Sequence, residues 1–383
     1  MPTPPSHPTD ENEPASRAWR WLVLLGCTTL VACGPGISSL RRSCTIETPL
    51  PGWQKIHAGG RPGTDSPRAG EDGEIVYDGT RHRLLLYGGK GDDDVNIDEL
   101  WAFDVKTRRW NPIRSEGPHP PPREDHSLIL DTVNDQLVLY GGEDGLPSRE
   151  TWSFSLGDGR WTDITDDSSP AREDHTAIYD AKRQRMIVFG GTPPSPDTWA
   201  LDLDLKSPDY GTWMQLPTRG PDPAVRRRHG AAYDSVRDRM IVYGGRTPKG
   251  DKNQYLADVW ALDLEALQWS ELSTTGDSPG ALNQTVLSYD PTTDELIAFG
   301  GEVVVTVQYD TEEYLTNSVW VLDLNSLTWS ERSPYPRPVY DHAGVYVPEY
   351  GGTVIYGGQS HRPVKERSVW LLEISPPAPG APE

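Results

Sequence analysis

The chain has 383 residues, of which only 35% are hydrophobic, yet it carries 37 Gly, 36 Pro and 14 Trp. Mean hydropathy of −0.60 with that density of turn formers argues against a large helical core and fits many short strands packed by indole rings. A formal net charge of −21, with no basic stripe to offset it, excludes a phosphate backbone as a natural partner, so no nucleic acid is expected.

The first 50 residues read as an export leader and a linker. Met1 to Ser16 is polar and Pro-rich, Arg17 and Arg20 supply positive charge, and Trp21 to Ala32 is an apolar run of signal-peptide length, too short to span a bilayer. Its end, Leu30-Val31-Ala32-Cys33, resembles the lipobox of bacterial lipoproteins, which implies cleavage before Cys33 and a lipid on its sulfur. Gly34 after the Cys implies the outer membrane. The expected layout is a signal peptide over 1–33, a linker over 34–50, one domain over 51–374 and a Pro-rich tail over 375–383. Cys27 leaves with the leader and Cys44 is then alone, so no disulfide is expected.

From Pro51 onward the chain repeats itself. Gly pairs at Gly88-Gly89, Gly141-Gly142, Gly190-Gly191, Gly244-Gly245, Gly300-Gly301 and Gly357-Gly358 are spaced by 49 to 57 residues. Each pair ends an apolar run (LLLYGG, LVLYGG, MIVFGG, MIVYGG, LIAFGG, VIYGG) and precedes a Trp at 101, 152, 199, 260, 320 or 370. After the Trp, period-2 alternation as in WAFDV and WALDL puts Trp and two apolar side chains on one face that must be buried. A second Trp follows in five copies, at 110, 161, 213, 269 and 329. The sixth copy has none, and Trp53 near the start supplies it, so Pro51 to His57 is expected to pair with Ser368 to Ile374. Asp78, Asp131, Asp180, Asp234 and Asp290 open one set of turns, and Asp104, Asp202, Asp263 and Asp323 another, as turn formers rather than catalysts. The run Glu302 to Asn317 alternates as a projecting hairpin should.

With six concordant Gly-Gly and Trp blocks, the chain resembles the kelch-repeat β-propeller family, specifically a bacterial kelch-repeat lipoprotein, over nearly all of its mature length. The resemblance implies an all-β, six-bladed propeller of four antiparallel strands per blade, closed by the N-terminal strand completing the last blade. It also implies that the loops leading into each first strand rim a mouth where partners bind.

The candidate site lies at those entrances. Arg123-Glu124-Asp125-His126, Arg172-Glu173-Asp174-His175 and Arg226-Arg227-Arg228-His229 stand in register, and Asp341-His342 keeps part of the block. Ligand contact is expected from Arg123, His126, Arg172, His175, Arg226, His229, Asp341 and His342, because a guanidinium fork reads carboxylates and hydroxyls well. The acidic loop Gly91 to Glu99 has Asp92, Asp94 and Asn96 at alternate positions but lacks the Gly and the bidentate Glu of a calcium loop, and reads as solvated.

No cofactor, metal site or catalytic residue is expected. The radical copper chemistry of galactose-oxidase-like kelch proteins needs a Cys in the propeller, and none lies after Cys44. The expected function is a monomeric, lipid-anchored cell-envelope module that binds a protein segment or glycan at the mouth. The alternative is a carbohydrate-active enzyme of the sialic-acid mutarotase type, with Glu173, His175 or Arg226 as acid or base. A deep pocket with one buried, perturbed carboxylate favours that alternative.

Overall fold

The computed structural model describes residues 52–249, 252–307, 310–360 and 365–373. The leader with Cys33, the linker over 34–50 and the tail over 375–383 lie outside them.

Among the described residues every repeat forms one antiparallel sheet whose strands follow chain order. The first repeat runs Glu74–Asp78, Arg83–Tyr87, Leu100–Asp104 and Arg109–Ile113. The next three run Glu124–Asp131 to Arg160–Asp163, Thr176–Asp180 to Trp213–Gln215, and Gly230–Asp234 to Gln268–Glu271. The fifth, Val286–Asp290 to Thr328–Arg332, gains a fifth strand because Thr275–Gly276 pairs parallel to its outer edge. The sixth supplies three strands, Tyr340–Val347, Gly352–Gln359 and Val369–Glu373. Its outer position is taken by Trp53–His57, with Trp53 opposite Leu372.

The first strands lie side by side in sequence order, and Tyr340–Val347 of the sixth repeat also lies against Glu74–Asp78 of the first. Two hairpins leave this pattern just after a Gly pair: Arg246–Lys249 with Lys252–Tyr255, and Glu302–Val307 with Asp310–Leu315. The second is the one that alternation predicts. The first was not anticipated, since Arg246 to Tyr255 shows no alternation.

The turns form as their side chains dictate. Asp131 Oδ1 accepts the amides of Val133 and Asn134, Asp234 Oδ1 those of Val236 and Arg237, and Asp104 Oδ1 those of Lys106 and Thr107. The second oxygen of the buried first-turn Asp takes an Arg five residues on, as in Arg83 Nε to Asp78 at 3.0 Å and Arg239 Nε to Asp234 at 2.8 Å. Other arginines cross to the next sheet. Arg81 grips Asp135 at 2.6 and 2.7 Å, Arg183 reaches Asp238 at 2.9 Å, and Arg237 is bidentate to Asp294. Bidentate geometry and partial burial make such links stronger than ordinary surface pairs.

Between the sheets one aromatic contact recurs. The ring before each Gly pair packs on the outer-strand Trp of the following repeat: Tyr87 on Trp161 at 5.2 Å, Tyr140 on Trp213 at 4.2 Å, Phe189 on Trp269 at 4.9 Å and Tyr243 on Trp329 at 5.2 Å. The same contact joins Phe299 to Trp53 at 5.4 Å and Tyr356 to Trp110 at 5.1 Å. All six Trp of this set are buried.

Candidate functional site

The entrances to the first strands are built around the Gly pairs. The second Gly of each pair donates its amide to a carbonyl of the following repeat: Gly89 to Arg123 and Gly191 to Arg226 at 2.9 Å, Gly142 to Arg172 at 2.8 Å, and Gly358 to Gly70 at 2.7 Å. Such an approach leaves no room for a side chain. A Cβ on Gly88 or Gly190 would come within 2.6 Å of the next His ring, and both have φ near +70°.

This geometry corrects the expected role of the arginines. Arg123, Arg172 and Arg226 are buried, and none of them lines the cavity where the first strands converge. Arg226 is bidentate to Asp258 at 2.9 Å and also donates to the Gly244 carbonyl; Arg123 pairs with Glu150 and donates to the Gly141 carbonyl at 2.8 Å. Arg172 donates to the carbonyls of Gly190 and Pro193. The forks of Arg123 and Arg226 fix the loop to the start of the third strand of their own sheet, and that of Arg172 fixes it to the turn after the second. Arg68, out of register in the sequence, does the same work on Glu99 at 2.6 Å. The signal was present: an acid two residues before the third-strand Trp, as at Glu99, Glu150 and Asp258.

The histidines are also buried. His175 Nε2 shares a hydrogen bond with Ser127 Oγ at 2.8 Å, and His229 Nε2 with Thr176 Oγ1 at 2.7 Å, so each ties its repeat to the one before. Burial pushes His126, His175 and His342 down to about 3 and His229 well below its usual range, and for the first two and His229 the adjacent Arg reinforces the effect. These rings are neutral at physiological pH, and their inner edges form part of the cavity wall.

What faces the cavity rim is the residue just before each His or its counterpart. Asp72, Asp125, Asp174, Arg228, Gln284 and Asp341 all have φ between 52° and 56°, a left-handed conformation that side-chain-bearing residues rarely adopt. Backbone bonds link them across repeats: Asp174 N–H to the Asp125 carbonyl, Arg228 to Asp174, Gln284 to Arg228 and Asp72 to Asp341, at 2.8 to 3.2 Å. Arg228 Nε donates to Asp174 at 2.7 Å, and Gln284 Nε2 donates to Asp341. Of the residues singled out from sequence, His126, His175, His229, Asp341 and His342 line the cavity. Strained backbone repeated at one level is a recognised mark of a functional rim.

The cavity has a volume of about 200 Å³. Its carboxyls sit close together and are raised first by burial, with repulsion from neighbouring acids adding to it: Asp72 and Asp125 well above the usual range, Asp341 to about 7. Glu74, on the first strand of the first repeat where others carry Ser127, Thr176 or Gly230, stands inside the cavity. Its side chain is exposed to that open space, and desolvation by the protein around the cavity pushes its carboxyl up to about 8. Sequence reasoning missed Glu74, although it is the one acid at that register position.

The acidic loop after Gly89 is held by basic side chains, Asp94 by Lys365 at 2.8 Å and Asp92 by Arg367 at 3.0 Å. Among the described residues no group of three or more His, Cys, Asp and Glu side chains is placed to hold a metal ion.

The sheets and their shared loop geometry define an all-β repeat protein. Residues 197–376 match the model of the KLHDC2/KLHL20/DRC7 Kelch-repeats domain, and residues 84–255 match that of the Attractin/LZTR1 beta-propeller. Acyl-CoA-binding domain-containing protein 5 of Arabidopsis thaliana is 30% identical over 191 residues, covering 46% of this chain and 28% of its own length. Host cell factor of Drosophila melanogaster is 22% identical over 326 residues, 79% of this chain and 18% of its own, and human Host cell factor 2 is 24% identical over 340, 80% and 36%. The chain thus spans well under half of these relatives. It belongs to the kelch-repeat family.

A carboxyl raised to about 8 in the fold, against an ordinary 4.5, holds a proton that the unfolded chain has already lost. Its contribution to stability therefore falls as pH rises from about 4.5 to 8. Thermal melts of Glu74→Gln are expected to lie above wild type at pH 8 and to approach it at pH 5; parallel curves would show that Glu74 does not titrate in that window.

Proposed function

We propose that the chain is a protein-interaction module, a closed six-bladed kelch propeller that receives a segment of its partner at the mouth of the central channel. Two observations support the ring: Trp53–His57 completes the sheet of the last repeat, and the first strands adjoin one another from the first repeat round to the sixth. The binding role rests on the rim. On a scaffold whose buried contacts repeat, the six left-handed residues at the mouth differ in charge and shape, and two hairpins rise beside two of them. Arg227 bridges to Arg246, and Leu282-Asn283 pairs with the strand starting at Glu302. Variation at one end of a rigid scaffold is how such proteins set specificity.

The cavity weighs against a sugar-converting enzyme. At about 200 Å³ it is smaller than the roughly 300 Å³ at which enclosed small-molecule sites begin. Its rim carboxyls are also engaged with one another, with Arg228 and with Gln284. A charged rim of this size suits single side chains of a protein segment better than a whole sugar.

The location we propose is the bacterial cell envelope, on the outer membrane, with the module a monomer tethered through lipid on Cys33. The Leu30-Val31-Ala32-Cys33 segment after its apolar run supports this.

A photo-crosslinking residue in place of Gln284 is expected to capture a protein partner in cells, whereas one in place of Asp263, in a turn between the third and fourth strands, captures none. Equal capture from both, or none from the mouth, would contradict the reading. Metabolic labelling with a fatty-acid analogue is expected to mark wild type and spare Cys33→Ser; label on both would remove the tether.

A further inference from the structure

A second cavity is lined by no residue of a first strand. It lies where the outer strand of the first repeat ends beside Trp161 of the second. Its volume is about 350 Å³, above the roughly 300 Å³ at which small-molecule sites begin. Leu100, Pro112, Ile113 and Trp161 supply an apolar wall, and Asp98, Glu99, Arg114, Ser115 and His119 stand around it.

The indole N–H of Trp161 is the telling group. In the two repeats that follow, the same N–H is bonded: Trp213 Nε1 donates to Thr151 Oγ1 at 3.1 Å, and Trp269 Nε1 to Thr198 Oγ1 at 3.4 Å. Those threonines sit opposite Tyr140 and Phe189 in their sheets. The residue opposite Tyr87, the ring on which Trp161 packs, is Leu100, whose side chain has no acceptor. Trp110, packed on Tyr356 opposite Val369, also lacks a partner, but its N–H is sealed within protein. Trp161 is only 6% exposed, lines the cavity, and has no acceptor for its N–H among the described residues. A donor so placed costs free energy until an acceptor arrives.

The other polar groups of the lining divide by whether they are answered. Glu99 takes Arg68 Nε at 2.6 Å and Trp101 Nε1 at 2.9 Å, and Asp98 stands 3.4 Å from His119 Nε2. Arg114 is exposed and pairs with no acid among the described residues, and the Ser115 hydroxyl has no partner among them. The acids are thus met and the donors are not. We infer that this cavity binds a small organic carboxylate with an apolar body. The carboxylate takes the Trp161 N–H and the Arg114 guanidinium, whose fork suits paired oxygens, while the body lies against Leu100, Pro112 and Ile113. The net charge of −21 opposes an anion at long range, but physiological salt screens beyond about 8 Å, and within that range Arg114 is the unanswered charge. The site is separate from the mouth and does not rest on the reading of it.

The test is titration of the full-length chain, isotope-labelled at tryptophan, with phenylacetate, phenylpropanoate and isovalerate, read from the indole N–H resonances. At least one of these acids is expected to move the resonance that Trp161→Phe removes, and to bind about tenfold more tightly than the alcohol of the same skeleton, as loss of hydrogen bonds to a charged group implies. Arg114→Gln is expected to weaken that acid about three- to fivefold, as removal of an exposed charge pair does. Leu100→Thr gives the indole the acceptor that the next two repeats already accommodate, and is expected to weaken the acid about threefold or more. A Trp161 resonance that none of the acids moves, alcohols that bind as tightly as the acids, or a Leu100→Thr protein that binds like wild type would overturn the inference and leave the reading of the mouth in place.

Discussion

The structure depends on one contact made six times, the edge or tilted face of an aromatic ring before a Gly pair against a Trp in the outer strand of the next repeat. A four-stranded sheet with two apolar faces cannot bury itself, and these rings are the largest apolar groups between neighbours. Ring centroids 4.2 to 5.4 Å apart, with tilted planes, are the arrangement in which aromatic quadrupoles attract. The Gly pair follows from the same contact. Once the ring is seated, the chain must leave the sheet at once, against the carbonyl and His of the next repeat, with no Cβ in between.

That packing fixes the loops, and the loops fix the site. The buried arginines illustrate the dependence: each guanidinium satisfies a glycine carbonyl, and Arg123 and Arg226 also neutralise an acid at the start of the third strand, so the entrance to the first strand is set before any ligand arrives. With entrances held this way, the residue ahead of each His is forced into a left-handed conformation and its side chain comes to the rim. Uniform scaffolding and variable rim residues are therefore two consequences of the same geometry. Opposing charge at the far turns, as in Arg237 with Asp294, ties the sheets together at a level away from the cavity.

Much of the fold could be read from the chain because its demands are local. A Gly pair after an apolar run, an alternating strand led by Trp and an Asp at a turn each declare themselves within a few residues, and Trp53 stood out because one repeat lacked a partner for it. The site was less legible. Whether a guanidinium faces ligand or protein depends on an acid some thirty residues on, such as Glu150 for Arg123, and spacing alone does not reveal that pairing. The left-handed rim carries no residue signature, since Asp, Arg and Gln all occupy it. Glu74 escaped notice because its importance comes from the space in front of it. The hairpin at Arg246–Lys249 and Lys252–Tyr255 has polar strands, and polar strands leave no periodic trace.

The central claim is that the strand Trp53–His57 secures the last repeat through Trp53, which is buried against Phe299 and Tyr335 at 5.4 and 4.7 Å. Urea unfolding of Trp53→Ala, Phe299→Ala and the double variant measures this directly. The expected result is a loss of about 3–5 kcal/mol for each single change, and a double loss smaller than their sum by about 0.5–1.5 kcal/mol. A Trp53→Ala protein that unfolds within about 1 kcal/mol of wild type, or two losses that simply add, would show that the strand is not bound in this way.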